Sequence, residues 1–573
     1  MGHHHGHGHH HAHDHDHAHD HDEAYDSRPL PAAMDPAVPD SELDPDQLSR
    51  RSMLRRAGLL GAGVAGAGVL AGAGAGTAAA RPADGGGNGG GRLLWLAGDH
   101  HIHTQYSSDG QYRVIDQVRN GARNGLDWMV ITDHGGAQHS RIGVERVNPD
   151  IVAARSAHED TLVFQGLEWN IPAAEHGTVF VHPGRNEVDV LKRFETDYDG
   201  SVNNASGNTP QNEALAIAGL DFLAGQVRRR AVRDALMLAN HPSRQGVDSP
   251  HEIRAWRDAQ PRIAVGFEGA PGHQAAGIPE PHGPGGGRGY YAGSPGPNSF
   301  PGYPAESYRT WGGFDWMTAT VGGLWDSLLS EGKAWSISAN SDSHVNYADT
   351  ATRPDDTDFD ANGFHSDPVY RGSGLNLTAG DFWPGQYSRT HVGATGFTYS
   401  AVMEGIRAGR IWVDHGGLIS GLDARLRGGN RSATLGGTLH VRRGAEVELT
   451  IKVSLANGPN WAGFVPELAR VDVIQGVVTG EADDRDAFHA PDTRVVKSFD
   501  VNESTGEVTL THRLGRVDRP LYVRLRGTDG RRSQPGLNGA GVDPAGPALD
   551  VLGDADPWLD LWFYSNPIWV LPA

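Results

Sequence analysis

The chain has 573 residues, a formal charge of −21, 31 histidines and no cysteine. That length admits more than one domain. The missing cysteines exclude disulfides and thiolate metal sites, so any transition metal must be held by imidazole and carboxylate. The acidic balance argues against a nucleic-acid groove, and no nucleic-acid partner is expected.

Residues 1–22 include twelve His mixed with Asp and Gly. Such a composition cannot bury a core, so 1–48 reads as a disordered His/Asp-rich tail. A purification tag is the plainer explanation. The drift into His-Asp alternation favours a natural metal-collecting tail instead. Ser49-Arg50-Arg51-Ser52-Met53-Leu54-Arg55 resembles the twin-arginine export motif. An uncharged Gly/Ala/Val/Leu stretch follows at 57–79, and Ala78-Ala79-Ala80 offers an A-x-A cleavage site. A membrane helix packing through its glycines is the alternative, but so much Gly and Ala keeps apolarity low. Residues 49–80 are therefore read as a twin-arginine signal peptide. That implies the export machinery as a partner, a periplasmic or extracellular destination and no stable membrane anchor. Residues 81–92 form a Gly-rich linker.

From 93 onward, short apolar runs alternate with amphipathic segments. Strands are expected at 94–96, 126–132, 162–167, 178–181, 235–239, 263–267, 335–339 and 411–413. Helices are expected at 114–124, 210–233, 250–259, 314–332 and 401–408. This alternation through 93–420 argues for an α/β domain built on a parallel sheet or barrel. Two long insertions, 270–312 and 346–392, are read as walls over the mouth of a site. After 421 the texture changes. Strands at 447–453, 470–474, 495–499, 508–511 and 521–525 have no helices between them, so 421–573 reads as a small β-sandwich-like domain. The aromatic segment 558–570 also holds Asp560, Asn566 and Pro567, and is expected to dock back onto the body.

The strongest chemical feature is Asp99-His100-His101-Ile102-His103-Thr104, followed by Ser107-Ser108-Asp109-Gly110. Residues two apart on extended chain face the same way, so His101 and His103 converge while His100 points away. Asp109 lies on the following loop. Further pieces recur at strand ends: Thr132-Asp133-His134, Gly166-Leu167-Glu168, Glu175-His176, Asn240-His241-Pro242 and Ser341-Asp342-Ser343-His344. In a β/α barrel these ends share one rim, where chemistry sits. A lone His at a strand end is commonly a capping or core residue. The ordered conjunction of six such segments is a far stronger observation.

These motifs together resemble the PHP (polymerase and histidinol phosphatase) superfamily of metal-dependent phosphoesterases. The nearest likeness is to the carbaryl-hydrolase-like branch, with the segment from Ala401 through Glu404 to Arg410 and the terminal Ser565-Asn566-Pro567-Ile568. The resemblance covers 94–425 well and the remainder loosely. It implies a distorted seven-stranded β/α barrel holding two or three divalent ions. Carried over residue by residue, it places His101, His103 and Asp342 on a first ion, with Glu168 bridging to a second. His176 and His241 complete the second, and Asp109, His134 and His344 hold a third. His182 competes with His176, which is preferred for its short spacing from Glu168.

Imidazole and carboxylate donors suit Zn, Mn or Fe alike. Ions bridged by Glu168 would bring a shared water toward neutrality as an attacking hydroxide. Asp342, its second oxygen being free, could take the proton. No Gly-x-Ser-x-Gly elbow suggests a serine nucleophile. Phosphate recognition calls for Arg at the rim, for which Arg244 and Arg141 are the candidates. Glu268 is either an orienting partner for a ligand or a salt-bridge partner for a rim Arg. The expected activity is hydrolysis of a small phosphate ester. Ester, amide or carbamate cleavage on the same barrel is the alternative, and an exported, non-catalytic metal-binding protein is a third.

Overall fold

The computed structural model describes residues 93–291, 293–354, 358–370, 374–530, 537–538, 552–553 and 556–573. The tail, the twin-arginine signal and the linker expected at 1–92 lie outside the described residues, as do short pieces of the second insertion.

Strands β1 (Leu94–Asp99), β2 (Trp128–Ile131) and β3 (Leu162–Asn170) run parallel in register. β4 (His176–Val181) is antiparallel to both its neighbours, β3 and β5 (Ala235–Ala239). β5, β6 (Ala264–Ala270) and β7 (Ser336–Ala339) are again parallel. β8 (Ser388–Ala394) pairs antiparallel with β1 and with β9 (Ile411–His415). Every residue of β2, β5 and β6 is buried. Their continuous apolar runs are those of strands covered on both faces.

The outer edge of β7 meets β8 through side chains rather than a ladder. Thr390 Oγ1 accepts from Ala339 N and donates to Ala339 O, both at 2.8 Å. Asn566 likewise satisfies the N–H and C=O of Ile337 at 2.9 and 3.1 Å. The mixed sheet is thus curled so that strand ends from both halves face one another.

The helices are set by local chemistry as well as by packing. α1 (Val114–Arg123) follows the first His cluster. α2 (Val144–Ala157) and α3 (Glu187–Tyr198) cover the sheet around β3. α4 (Pro210–Arg228) opens with Pro210 at its first turn and Thr209 capping Asn212 N. α5 (Pro250–Ala259) opens with a capping box between Ser249 and Glu252. The helix expected at 314–332 is broken. Phe314–Asp315 form a short strand, Trp316–Ala319 a single turn, and only α6 (Leu324–Ser330) is a longer helix. Gly322, at φ +75°, stands in the break, where continued helix is impossible. Arg230 at φ +59° similarly follows the end of α4, short of the expected 233. α7 (Tyr399–Arg407) precedes β9.

Beyond β9 the chain is almost all β. β10 (Ile419–Gly428), β11 (Ala445–Leu455) and β13 (Glu507–Val517) form one antiparallel layer, while β12 (Arg470–Val477) pairs with β14 (Leu521–Thr528). β14 also pairs with β15 (Trp562–Ser565) and β16 (Ile568–Pro572), and β15 pairs with β9. The aromatic C-terminal segment therefore docks back by joining the main sheet. One apolar cluster takes Leu426, Leu449 and Val453 from the first layer and Val473, Leu525 and Phe563 from the second. Each such fully buried side chain contributes about 1.5–3 kcal/mol. A buried Arg524–Asp326 pair, at 2.8 and 2.6 Å, ties β14 to α6 beneath the Trp325 ring.

Candidate metal centre

β1 ends at Asp99, whose carboxylate accepts from His101 N and from Ser341 N, both at 3.0 Å. This buried acid splices the first His segment to the segment that follows β7. Burial lifts its carboxyl to about 7 against those hydrogen bonds. Asp133 does similar work after β2. It faces away from the other donors and accepts from Thr104 N and Ser107 Oγ at 2.6 and 2.9 Å. Ser107 Oγ in turn meets His103 Nδ1 at 2.9 Å, which aims His103 Nε2 inward.

Glu168, at the rim end of β3, is 1% exposed and has five imidazoles around its carboxylate. Oε1 lies 3.0 Å from His101 Nε2, 3.1 Å from His176 Nδ1 and 3.3 Å from His241 Nε2. Oε2 lies 2.7 Å from His134 Nδ1 and 3.5 Å from His103 Nε2. Asp342 Oδ1 completes the inner group, 3.1 Å from His101 Nε2 and 3.2 Å from His103 Nε2. On the outer side, Asp109 Oδ2 is 3.2 Å from His134 Nε2, and Oδ1 is 3.6 Å from His344 Nε2. The His103 and His344 rings stack at 3.8 Å.

Among the described residues, donor atoms within 4.8 Å of one another fall into four overlapping groups. They are His101/His103/Asp342, His134/Glu168/His176, His103/Asp109/His134/His344 and His273/Asp342/His344. His241 reaches Glu168 but belongs to none of the four. Its Nδ1 is buried without a hydrogen-bond partner among the described residues. Asp342 Oδ1, despite its two close imidazoles, makes no well-directed hydrogen bond either. Imidazole nitrogens face each other at 3.0 Å (His101/His103) and 3.3 Å (His134/His344). Converging nitrogens and carboxylate oxygens of this kind fit divalent cations.

Electrostatics agree with that fit. Burial alone would raise Glu168 and Asp342, but the surrounding histidines hold both well below the usual carboxylate range. His101 goes well above its usual value: burial opposes this, and Asp342, Glu168 and Glu268 outweigh it. Burial, with His344 and His134 alongside, pushes His103 well below. Three donors also sit at positive φ: His241 (+31°), His273 (+53°) and Asp342 (+48°). Such conformations cost about 1–3 kcal/mol each and concentrate at functional sites. Gly272 is required beside them, since a Cβ there would lie 2.1 Å from Asp342 Cβ.

The structure also sorts the other sequence candidates. His176 faces Glu168, whereas His182, beyond the far end of β4, bonds to Pro183 O and Ser400 Oγ. His100 turns into the sheet interior, onto Thr178 Oγ1 and Ser338 Oγ. Glu268 orients ligands and bridges no rim Arg. Its Oε1 takes His101 Nδ1 at 2.6 Å and its Oε2 accepts from His241 N at 2.7 Å. Arg244 lies at the rim, 3.8 Å from Glu175. Arg141 is exposed and bonds to Ala137 O within its own turn, apart from the donors.

One expectation is overturned. The second oxygen of Asp342 is not free, because His273 Nε2 engages Oδ2 at 2.7 Å. The other ring nitrogen of His273 pairs closely with Asp381, which also accepts from His344 N at 2.7 Å. Sequence reasoning missed both residues because each lies in an insertion read only as a wall. The available clue was the position of His273, just past the rim end of β6.

Among the described residues no helix is long and apolar enough to cross a membrane. No curated protein matches the chain. A solved two-domain protein from Bacteroides vulgatus, described as containing a predicted PHP-like metal-dependent phosphoesterase, is similar at 14% identity. That alignment covers 76% of this chain and 90% of the other, with a TM-score of 0.32. Residues 99–222, the segment that holds His101, His103, Asp109, His134, Glu168 and His176, match the family model described as the PHP domain.

Proposed function

We propose that this protein is an exported, metal-dependent phosphoesterase acting on small phosphate esters. The supporting observation is the single buried Glu168 carboxylate with five imidazoles within 3.5 Å. In this reading the domain is a seven-stranded PHP barrel with a β-sandwich-like C-terminal domain. The ligand set is His101, His103, Asp109, His134, Glu168, His176, His241, Asp342 and His344. Two or three Zn, Mn or Fe ions held there would supply an activated water and an electrophile for the phosphoryl oxygens.

The chain's own residues do the rest. Glu268 fixes the ring of His101, and Asp99 fixes the backbone of both metal-binding segments. Arg244 supplies positive charge at the rim for an anionic substrate. The His273–Asp381 pair holds a proton beside Asp342 and can deliver it to a leaving oxygen. Ester, amide or carbamate cleavage, as in the carbaryl-hydrolase-like branch, is a second reading. It is favoured by the position of Arg141, which leaves phosphate recognition to Arg244.

The test is elemental analysis of the mature protein beginning at Arg81, paired with turnover of an aryl phosphate. Bound ions with metal-dependent phosphate release support the proposal. Bound ions without release shift it to carbon esters or carbamates. Absence of tightly bound ions overturns the site.

A further inference from the structure

A cavity of about 370 Å³ opens beside the donor cluster and shares His176 with it. Its wall comes from the rim end of β3, the turn before β4 and the loop after α3. The lining is Asn170, Ile171, Ala174, Glu175, His176, Gly200, Ser201, Asn204 and Ser206. Apart from Ile171, Ala174 and Gly200, each of these offers a hydrogen-bonding side chain.

The wall is rigid. Asp199 accepts from Asn170 N, Ser201 N and Val202 N at 2.9, 2.9 and 3.1 Å. Gly200 N donates to Asn170 O, and Ala173 N to Ala205 O. Such a wall requires little ordering when a ligand enters. Glu175 is 5% exposed, yet its Oε1 has no hydrogen-bond partner. The nearest cationic group is Arg244, at 3.8 Å.

We propose that this cavity is the subsite for the alcohol portion of the ester and takes a neutral, polyhydroxylated group, that of a sugar or polyol phosphate. The inference rests on the phosphoesterase reading above. Hydroxyls pair with the amides and hydroxyls of Asn170, Asn204, Ser201 and Ser206 along its wall. No Phe, Tyr or Trp lines the cavity to stack a nucleobase or aryl ring. Glu175 lies 3.8 Å from Arg244, so the wall offers no uncompensated charge to a second charged group.

The experiment compares binding of non-hydrolysable phosphonates to the full chain incubated with Mn²⁺. The probes are the methylene phosphonate analogue of glucose 6-phosphate, benzylphosphonate and inorganic phosphate. The sugar phosphonate is expected to bind at least about tenfold tighter than the other two. Asn204→Gly and Ser206→Ala are each expected to bring that ratio to within about twofold. Both residues are exposed, and glycine adopts the φ of +53° at Asn204 without strain, so these substitutions leave the core untouched. Equal binding of the three probes, or a preference that survives both variants, overturns the proposal. Phosphate release from glucose 6-phosphate is followed separately. A sugar preference without release keeps the subsite and removes the phosphoesterase reading. Release without a sugar preference does the reverse.

Discussion

His273 Nε2 stands 2.7 Å from Asp342 Oδ2, while the other oxygen of that carboxylate stands 3.1 and 3.2 Å from His101 and His103. One carboxylate thus joins the inner imidazoles to a His–Asp pair carried by two insertions. Asp342 is thereby oriented rather than left free as a base.

His273→Gln is expected to lower kcat on an aryl phosphate by about 10²-fold, the usual range for a positioned general acid. Steady-state kinetics with elemental analysis checks this. If kcat and ion content both stay at wild-type values, His273 has no part in the site.

Glu268→Gln weakens the hold on His101 Nδ1 and on the backbone of His241. Loss of such an orienting partner typically weakens metal affinity by about 10–100-fold. Competition against a chelator measures it. Unchanged affinity would mean that packing alone orients His101.

Asp109 is the exposed member of the donor set, with a side chain 57% accessible. Its loop is pinned by the second insertion: Arg353 donates to Ser108 O and Gly110 O at 3.1 and 2.8 Å, and His365 Nε2 meets Ser108 O at 2.8 Å. Arg353→Ala is expected to lower the ion count by about one while the ions at Glu168 remain, since a site must be assembled before it binds. A full complement of ions in that variant would show the clamp to be dispensable.

Burial lifts the Glu252 carboxyl in the α5 capping box to about 7. The folded state therefore holds this proton more tightly than the unfolded chain does. The resulting stability is fully present below the ordinary glutamate value of 4.5 and is lost as pH rises through about 7. Glu252→Gln is expected to flatten the dependence of the urea midpoint on pH across that window. An unaltered slope would place the titration elsewhere.

The chemistry of the rim was legible in the sequence because it is local. Two-residue alternation aims His101 and His103 together, and an apolar run ending in Glu168, His241 or Asp342 marks a strand end. The expected strands overlap those observed, since continuous burial leaves a readable apolar run. The loops were not legible. His273 and Asp381 meet across two insertions, Arg141 turns back on its own backbone, and the helix expected at 314–332 breaks near Gly322. Periodicity reports which face of an element is buried. It carries no information on which distant loop closes over that face. The sequence by itself therefore determined which donors this protein has and which strand ends present them. Only the tertiary structure decided their partners, because those contacts depend on how the sheet curls and where the insertions return.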